Sequence, residues 1–322
     1  MELLGLHHVS ILTGKAEKNY EFYTKILGMR LVKKTVNQDN TESYHLFYAD
    51  AEGTPGTDVT FFDIPHLGKT YRGTSDISTI SLRVRNSDSL LFWKERFIQY
   101  GVEHDDIRKR ANRDTLAFRD FEGTRLILAA DNGEKGVRAG VPWQREDIPL
   151  EHAIIGLGPV TFTVANAEPT IGVLTEVMGF RFVSSYPSLE GDYPDILIYA
   201  TGEGGSGAEV HIETRPDLPR ASLGRGGVHH VAFRVPNEEE YDKWAKRLKE
   251  YRLPNSGKVE RYYFKALYFR EPNGILFELS TDTPGFTIDE PMETMGEKLA
   301  LPSFLEPKRK EIEGKLRPLI LD

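Results

Sequence analysis

An internal repeat is the feature that most constrains how this chain can fold. Arg30 and Arg181 each follow a predicted helix and open a strand-like stretch, within Leu-Gly-Met-Arg-Leu-Val and Met-Gly-Phe-Arg-Phe-Val. A second repeat joins the segments 118–123 and 269–274, which both precede an apolar strand. Repeated segments indicate several copies of one supersecondary unit that share a core. The chain therefore divides into four modules, at residues 5–65, 75–130, 156–215 and 226–282.

Each module shows the same predicted order of elements. A strand opens the module, a helix follows, and three strands with turn residues between them complete a βαβββ unit. The opening strands are predicted at 7–12, 78–84, 159–164 and 228–235. The helices are predicted at 16–27 and 169–178 and around Trp93 and Trp244. This pattern predicts an α+β fold.

The glycine and proline residues of 131–151 indicate a linker between the two halves. We therefore predict two domains of two modules each, followed by a C-terminal tail that contains a helix near 307–316. The predicted bounds are 1–135 for the N-terminal domain, 136–152 for the linker, 153–283 for the C-terminal domain and 284–322 for the tail.

Composition excludes several classes of protein. The net charge of −8 disfavours nucleic acid and anionic membranes as partners, because both attract positive surfaces. No apolar run approaches the roughly 18 residues of a membrane helix, and the first residues lack the pattern of a secretory signal. We therefore expect a cytoplasmic protein. The chain has no cysteine, so any metal must be held by His, Asp or Glu.

Two adjacent histidine pairs open the strands of the first and fourth modules. They lie in His7-His8-Val-Ser-Ile and His229-His230-Val-Ala-Phe. Because side chains alternate across a strand, the two histidines of a pair are expected to face opposite ways. His7 and His229 share parity with the apolar residues, whereas His8 and His230 lie beside small residues that leave room for a cavity. His8 and His230 are therefore the pair predicted to face a site.

Glu278 completes a candidate metal site in the last strand of the fourth module. It lies opposite the apolar face of that strand, where a buried carboxylate needs a cation or another partner. The simpler interpretation is an exposed edge residue, or a salt bridge to an arginine such as Arg261.

The repeats provide an internal control. At the position of Glu278 the other modules have Thr60, Ile127 and His211, and at the position of His230 they have His8, Thr79 and Pro159. Candidate ligands therefore concentrate in the first and fourth modules. The remaining histidines are predicted to be structural or superficial: His45, His66, His104, His152 and His211.

Two imidazoles and one carboxylate are typical of non-haem Fe(II) oxygenases, because three protein ligands leave open positions on the ion. A site with four protein ligands would suit isomerisation on Zn or Ni better. The place expected for a fourth carboxylate is occupied by Thr60.

The whole pattern resembles the vicinal-oxygen-chelate superfamily, which includes glyoxalases, bleomycin-resistance proteins and extradiol dioxygenases. Within it, the chain resembles bacterial ring-cleaving dioxygenases of the hydroquinone type, from Leu6 to about Phe286. The motifs that carry this resemblance are the two histidine strands, Tyr-His-Leu-Phe-Tyr-Ala-Asp at 44–50 with Gly-Thr-Pro-Gly-Thr at 53–57, Gly-Ile-Leu-Phe-Glu at 274–278 and Pro-Gly-Phe-Thr at 284–287.

The resemblance implies a fold of two vicinal-oxygen-chelate domains. It also implies one Fe(II) per chain bound by His8, His230 and Glu278, with Mn, Zn or Ni as alternative ions. Roles around the substrate are implied for four further residues: His7, His229, Arg261 and Tyr268. Without the resemblance, Arg261 and Tyr268 would be interpreted as an ordinary strand cation and a packing aromatic residue.

The expected reaction is the opening of a hydroquinone or catechol ring with O2, in a setting of quinone detoxification. His229, with an ordinary imidazole pKa of about 6.5, is the first candidate for proton transfer. Two other functions stay open. One is a metal-dependent isomerase or lyase of glyoxalase type, and the other is a non-catalytic protein that binds an aromatic ligand. The sequence also leaves open whether the chain forms a homo-oligomer.

Overall fold

The computed structural model describes residues 1–319 and confirms the βαβββ order in all four modules. The first module contains β1 (Leu6–Thr13), α1 (Ala16–Tyr20), β2 (Arg30–Asn37), β3 (Asn40–Ala49) and β4 (Asp58–Asp63). The second contains β5 (Asp76–Val84), α2 (Ser87–Tyr100), β6 (Arg108–Arg110), β7 (Arg113–Arg119) and β8 (Arg125–Ala130).

The second half repeats this arrangement. The third module contains β9 (Gly156–Val164), α3 (Glu168–Gly172), β10 (Arg181–Tyr186), β11 (Ile196–Ala200) and β12 (Glu209–Thr214). The fourth contains β13 (Val228–Val235), α4 (Glu238–Glu250), β14 (Val259–Glu260), β15 (Lys265–Arg270) and β16 (Leu276–Thr281). In the tail, α5 covers Arg309–Lys315, within the predicted 307–316.

Shorter helical segments accompany these elements. α1 and α3 continue as π-helical turns at Glu21–Ile26 and Val173–Val177. 3-10 turns lie at Ser206–Ala208, Phe286–Ile288, Met292–Thr294 and Glu306–Lys308. Within residues 1–319, no helix is long and apolar enough to cross a membrane.

Strand pairing unites modules that are distant in sequence. The first sheet has the order β14-β15-β16-β13-β1-β4-β3-β2, so it joins the fourth module to the first. The second sheet has the order β6-β7-β8-β5-β9-β12-β11-β10, so it joins the second module to the third. Each sheet therefore crosses the division into sequence halves, and the domain bounds given above stay a prediction.

The two sheets have equivalent strands in equivalent order, and equivalent residues lie 151 positions apart. Ser10 is the Cα partner of His230 in the first sheet, and Thr161 is the partner of Thr79 in the second. The apolar faces of both sheets pack into one core that contains the buried indoles of Trp93 and Trp244. The opposite face of each curled sheet is left to form a cavity.

The tail breaks this symmetry because it covers only one of the two equivalent edge strands. A bridge joins Lys34 of β2 to Leu299, and the buried ammonium of Lys33 contacts the carboxylates of Asp289, at 2.7 Å, and Glu290. As a result Val32 in β2 is 0% exposed, whereas its equivalent Val183 in β10 is 48% exposed.

Candidate metal centre and its cavity

The structure brings His8, His230 and Glu278 together, although they are far apart in sequence. His8 lies on β1, His230 on the adjacent β13 and Glu278 on β16, which pairs in parallel with β13. Glu278 Oε2 lies 3.3 Å from Nε2 of His8 and 2.8 Å from Nε2 of His230, and these two nitrogens are 3.2 Å apart. Ligand atoms that share an ion at about 2.1 Å and 90° are about 3.0 Å from one another. The three side chains therefore have the spacing of a facial ligand set.

A chain of hydrogen bonds fixes the tautomer of His8. Nε2 of His7 lies 3.2 Å from the carbonyl oxygen of Thr281, which can only accept, so this nitrogen carries a proton. Burial, reinforced by His8, lowers the pKa of His7 well below its ordinary value and keeps the ring neutral. Nδ1 of His7 therefore accepts from Nδ1 of His8 at 2.9 Å. This leaves the Nε2 lone pair of His8 directed towards Glu278, as a metal ligand requires.

His230 has a matching contact with the residue that precedes it. Nδ1 of His229 lies 2.8 Å from Nδ1 of His230, and burial followed by the charge of His230 lowers the pKa of His229 to about 3. The predicted pKa near 6.5 therefore does not apply to His229 in this structure. A neutral His229 that accepts from His230 carries its own proton on Nε2.

The orientation of the histidines differs from the simple alternation predicted from sequence. In the pairing of β1 with β13, His8 faces Ala232 and Leu6 faces Phe233, which leaves His7 as an extra residue. His229 is likewise the extra residue between the partners of Ser10 and Ile11. Such β-bulges turn a side chain away from the alternating pattern. For this reason His7 and His229 contact His8 and His230 as well as the apolar core.

Glu278 is a buried carboxylate with one oxygen that lacks a hydrogen-bond partner among the described residues. Its side chain is 0% exposed, and Oε1 accepts a hydrogen bond from Oγ of Ser280 at 2.6 Å. Oε2 has no hydrogen-bond partner among residues 1–319. A buried carboxylate oxygen and two imidazole lone pairs at this spacing fit a divalent cation.

A cavity of about 410 Å³ opens beside the three ligands. Of the predicted substrate residues, His229, Arg261 and Tyr268 line this cavity together with His8 and His230. His7 lies behind His8 and does not line it. Much of the remaining wall is apolar and aromatic, as is typical of a site for a small aromatic molecule. Its apolar residues are Leu12, Phe47, Phe62, Ile64, Tyr263, Phe264 and Leu276.

Arg261 and Tyr268 form a connected pair at the cavity wall. Nε of Arg261 donates to Oη of Tyr268 at 3.2 Å, which leaves the hydroxyl proton of Tyr268 free to donate elsewhere. Burial raises the pKa of Tyr268, with a further contribution from Glu278, so the hydroxyl keeps its proton at neutral pH. Arg261 does not pair with Glu278 but with Asp39, at 2.9 Å, and its carbonyl oxygen accepts from Gln38. Residues 38 and 39 of the turn between β2 and β3 are thereby attached to the fourth module.

His45 is a cavity residue that the sequence interpretation missed. Its Nε2 lies 3.1 Å from Oγ1 of Thr60, which in turn lies 2.7 Å from Oγ of Ser10. The imidazole packs between the rings of Phe47 and Phe62, at centroid distances of 4.0 and 4.1 Å. The parity of His45 with Phe47 on β3 was the only sequence signal for this position. Thr60, in the place of a fourth ligand, is thus already hydrogen-bonded.

The equivalent place in the second sheet holds an ion-pair network instead of a metal site. Both Nη atoms of Arg113 donate to the Glu209 carboxylate at 2.7 Å, and Arg113 also pairs with Glu134. His211 lies 3.4 Å from Glu209 and 3.1 Å from the hydroxyl of Tyr186. Across residues 1–319, the only cluster of three or more potential metal ligands is His8, His230 and Glu278.

Comparisons with known proteins agree with this architecture. The model of the Glyoxalase/Bleomycin resistance protein/Dioxygenase superfamily matches residues 5–128 and 156–279. MhqA of Bacillus subtilis (strain 168), provisionally named a ring-cleaving dioxygenase, is 53% identical over 99% of this chain and 100% of its own length. The chlorohydroquinone/hydroquinone 1,2-dioxygenase of Sphingobium indicum is 30% identical over 96% of this chain and 94% of its own length.

Among solved structures, a Bacillus subtilis protein provisionally described as a dioxygenase superposes with a TM-score of 0.90. It is 32% identical to this chain, and the match covers 100% of this chain and 99% of the other.

Proposed function

Because the chain belongs to the glyoxalase/bleomycin resistance protein/dioxygenase superfamily, we propose that it is an Fe(II)-dependent dioxygenase that opens a hydroquinone- or catechol-type ring with O2. One observation carries the proposal. His8, His230 and Glu278 form a buried set whose ligand atoms converge, and its two histidines line a largely aromatic cavity. The names of relatives that align along nearly their whole length support the same reaction class.

His8, His230 and Glu278 would hold the iron, which supplies a Lewis acid for the phenolic oxygen and open positions for substrate and O2. Both oxygen atoms of O2 enter the product as one ring C–C bond breaks, so the reaction needs no external reductant. His7 and His229 keep the ligand histidines in the tautomer that presents Nε2 to the ion. These contacts orient the Nε2 atoms of His8 and His230 before the metal ion binds.

The remaining polar residues of the cavity orient the substrate. Tyr268 retains its proton and is free to donate it in a hydrogen bond to a substrate oxygen. Arg261 fixes the position of that hydroxyl and keeps its own charge balanced through Asp39. Nε2–H of His229 offers a second donor, and we assign His229 hydrogen-bond donation instead of the proton transfer expected from the sequence. Phe47 and Phe62 confine the ring and exclude water.

A four-ligand isomerase is the less well supported function. Its fourth protein ligand would have to come from the position of Thr60, whose hydroxyl already contacts Ser10 and His45. A non-catalytic binder would have no need of two oriented histidines and an ionised carboxylate beside its cavity.

The test is O2 uptake by protein purified anaerobically and loaded with Fe(II), measured with hydroquinone, methylhydroquinone and catechol. We expect one O2 consumed for each ring opened, and no uptake after loading with Zn or Ni. Conversion of a glutathione hemithioacetal by the Ni-loaded protein, with no O2 uptake by the Fe(II) form on any phenol, would instead establish the isomerase.

A further inference from the structure

The second sheet has its own cavity. It lies on the face that corresponds to the face of the first sheet with the candidate metal centre. This second cavity measures about 160 Å³. Six of its lining residues lie 151 positions from residues of the first site, namely Thr79, Arg110, Ala117, Arg125, Ile127 and Glu190. Their respective counterparts are His230, Arg261, Tyr268, Leu276, Glu278 and Asp39. Both metal ligands in this comparison are thus replaced by residues that bind no metal, whereas the arginine and the carboxylate are retained.

Arg110, the counterpart of Arg261, does not form the equivalent ion pair. In the first cavity Arg261 lies 2.9 Å from Asp39. In the second, Glu190 pairs instead with Arg215 at 2.8 Å. Among residues 1–319, no carboxylate oxygen lies within 4.0 Å of Arg110 or of Arg125, another arginine of this cavity. The Nε of Arg110 is buried and has no hydrogen-bond partner in the same range.

An unpaired and largely desolvated guanidinium is costly unless an anion compensates for it. The other carboxylates of the cavity do not fill this role. Glu103 pairs with Arg119 at 3.3 Å, and Asp105 is exposed to solvent and forms no ion pair within 4.0 Å in the described chain. Burial lowers the pKa of Arg110, and the opposing effects of Tyr186, Asp105 and Glu213 do not outweigh it.

We propose that the second cavity is a metal-independent binding site for a small oxyanion, a carboxylate or phosphate group, held by Arg110 and Arg125. Guanidinium groups suit this ligand because their N–H donors match the oxygens of carboxylates and phosphates. The site does not depend on the function proposed above.

The experiment measures anion binding by isothermal titration calorimetry with the whole Fe(II)-loaded chain. The probes are inorganic phosphate and succinate, titrated at constant ionic strength set with chloride. We expect saturable binding of one anion per chain. Arg110→Gln should weaken it about tenfold or more, because charge-assisted hydrogen bonds are lost. Arg261→Gln, the equivalent change in the first cavity, should leave it unaltered.

Arg125→Gln is the second variant, and circular dichroism checks that each variant is folded. Binding of phosphate alone identifies a phosphate group as the ligand, and binding of succinate alone identifies a carboxylate. Either result supports the site if an arginine variant weakens it. The proposal is overturned if neither anion binds saturably, or if folded Arg110→Gln and Arg125→Gln proteins bind as tightly as the unaltered chain.

Discussion

The two sheets of this protein have the same strand order and equivalent pairing, yet they differ in what occupies their concave faces. In the first sheet, His8, His230 and Glu278 converge with no protein cation among them. In the second, the equivalent positions hold Pro159, Thr79 and Ile127. Nearby, Arg113 and Glu209 form an ion pair in the interior of the second sheet.

This difference shows that the fold supplies a frame and that a few side chains decide its use. A carboxylate beside two neutral imidazoles creates a place for an ion from solution. A carboxylate held by both Nη atoms of an arginine is already neutralised by the protein. The same strand arrangement therefore serves as a candidate metal centre on one side and as a structural ion pair on the other.

The largest effect is expected from removing the charge of Glu278. Glu278→Gln keeps the size of the side chain but removes the anionic ligand. Fe(II) content after anaerobic loading and dialysis should therefore fall from about one ion per chain to less than about a tenth. Atomic emission spectroscopy measures this content. His211→Gln, a change in the second sheet, should retain one ion. Stoichiometric iron in the Glu278→Gln protein would contradict the ligand set.

The ion pair of the second sheet should control stability instead of metal binding. Burial raises the pKa of Glu209, but its contacts with His211 and Arg113 outweigh burial and lower this pKa to about 2, whereas an unfolded glutamate titrates near 4.3. The ionised Glu209 therefore stabilises the fold by about 3 kcal/mol at neutral pH. This contribution is fully present above the unfolded pKa and is lost as the pH falls towards 2.

Urea unfolding at two pH values tests this assignment. Glu209→Gln should lower the free energy of unfolding by about 3 kcal/mol at pH 7 and by about half as much at pH 3. Its Fe(II) content should stay at about one per chain. An equal loss of stability at both pH values would show that the charge of Glu209 is not responsible.

Turnover should depend on a hydroxyl of the first cavity and not on a hydroxyl of the second sheet. Tyr268→Phe removes a donor directed at the proposed substrate, so kcat for ring opening should fall about 100-fold with unchanged iron content. Tyr186→Phe alters the hydroxyl that contacts His211 and should leave kcat as it was. O2 uptake under saturating phenol measures both, and equal effects would remove Tyr268 from the proposed mechanism.

The smallest expected effect is a difference in unfolding free energy between matched changes in the two equivalent edge strands, β2 and β10. Val32→Ala leaves a void beneath the tail and should cost about 2 kcal/mol of unfolding free energy. Val183→Ala changes a half-exposed side chain and should stay within about 0.5 kcal/mol. Equal losses in urea unfolding would mean that the tail does not shield β2 as the structure indicates.

Much of the fold was predictable because the repeat and the local patterns agree. The strand predicted at 228–235 coincides with β13, and each helix lies where its module requires it. The grouping of His8, His230 and Glu278 was also predictable, because their equivalents in the other modules are mostly not metal ligands. His45 was not predictable as a cavity residue, since its neighbours Phe62 and Thr60 come from strand pairing that local sequence does not specify.

The sequence alone determined the βαβββ units and the candidate ligands, because these depend on alternation along a strand and on comparison between modules. Only the tertiary structure decided that the first module pairs with the fourth. It also decided that bulges turn His7 and His229 towards the ligands, and that Arg261 is neutralised while Arg110 is not. These outcomes depend on backbone register and on charges brought together from distant segments, which no local pattern of residues contains.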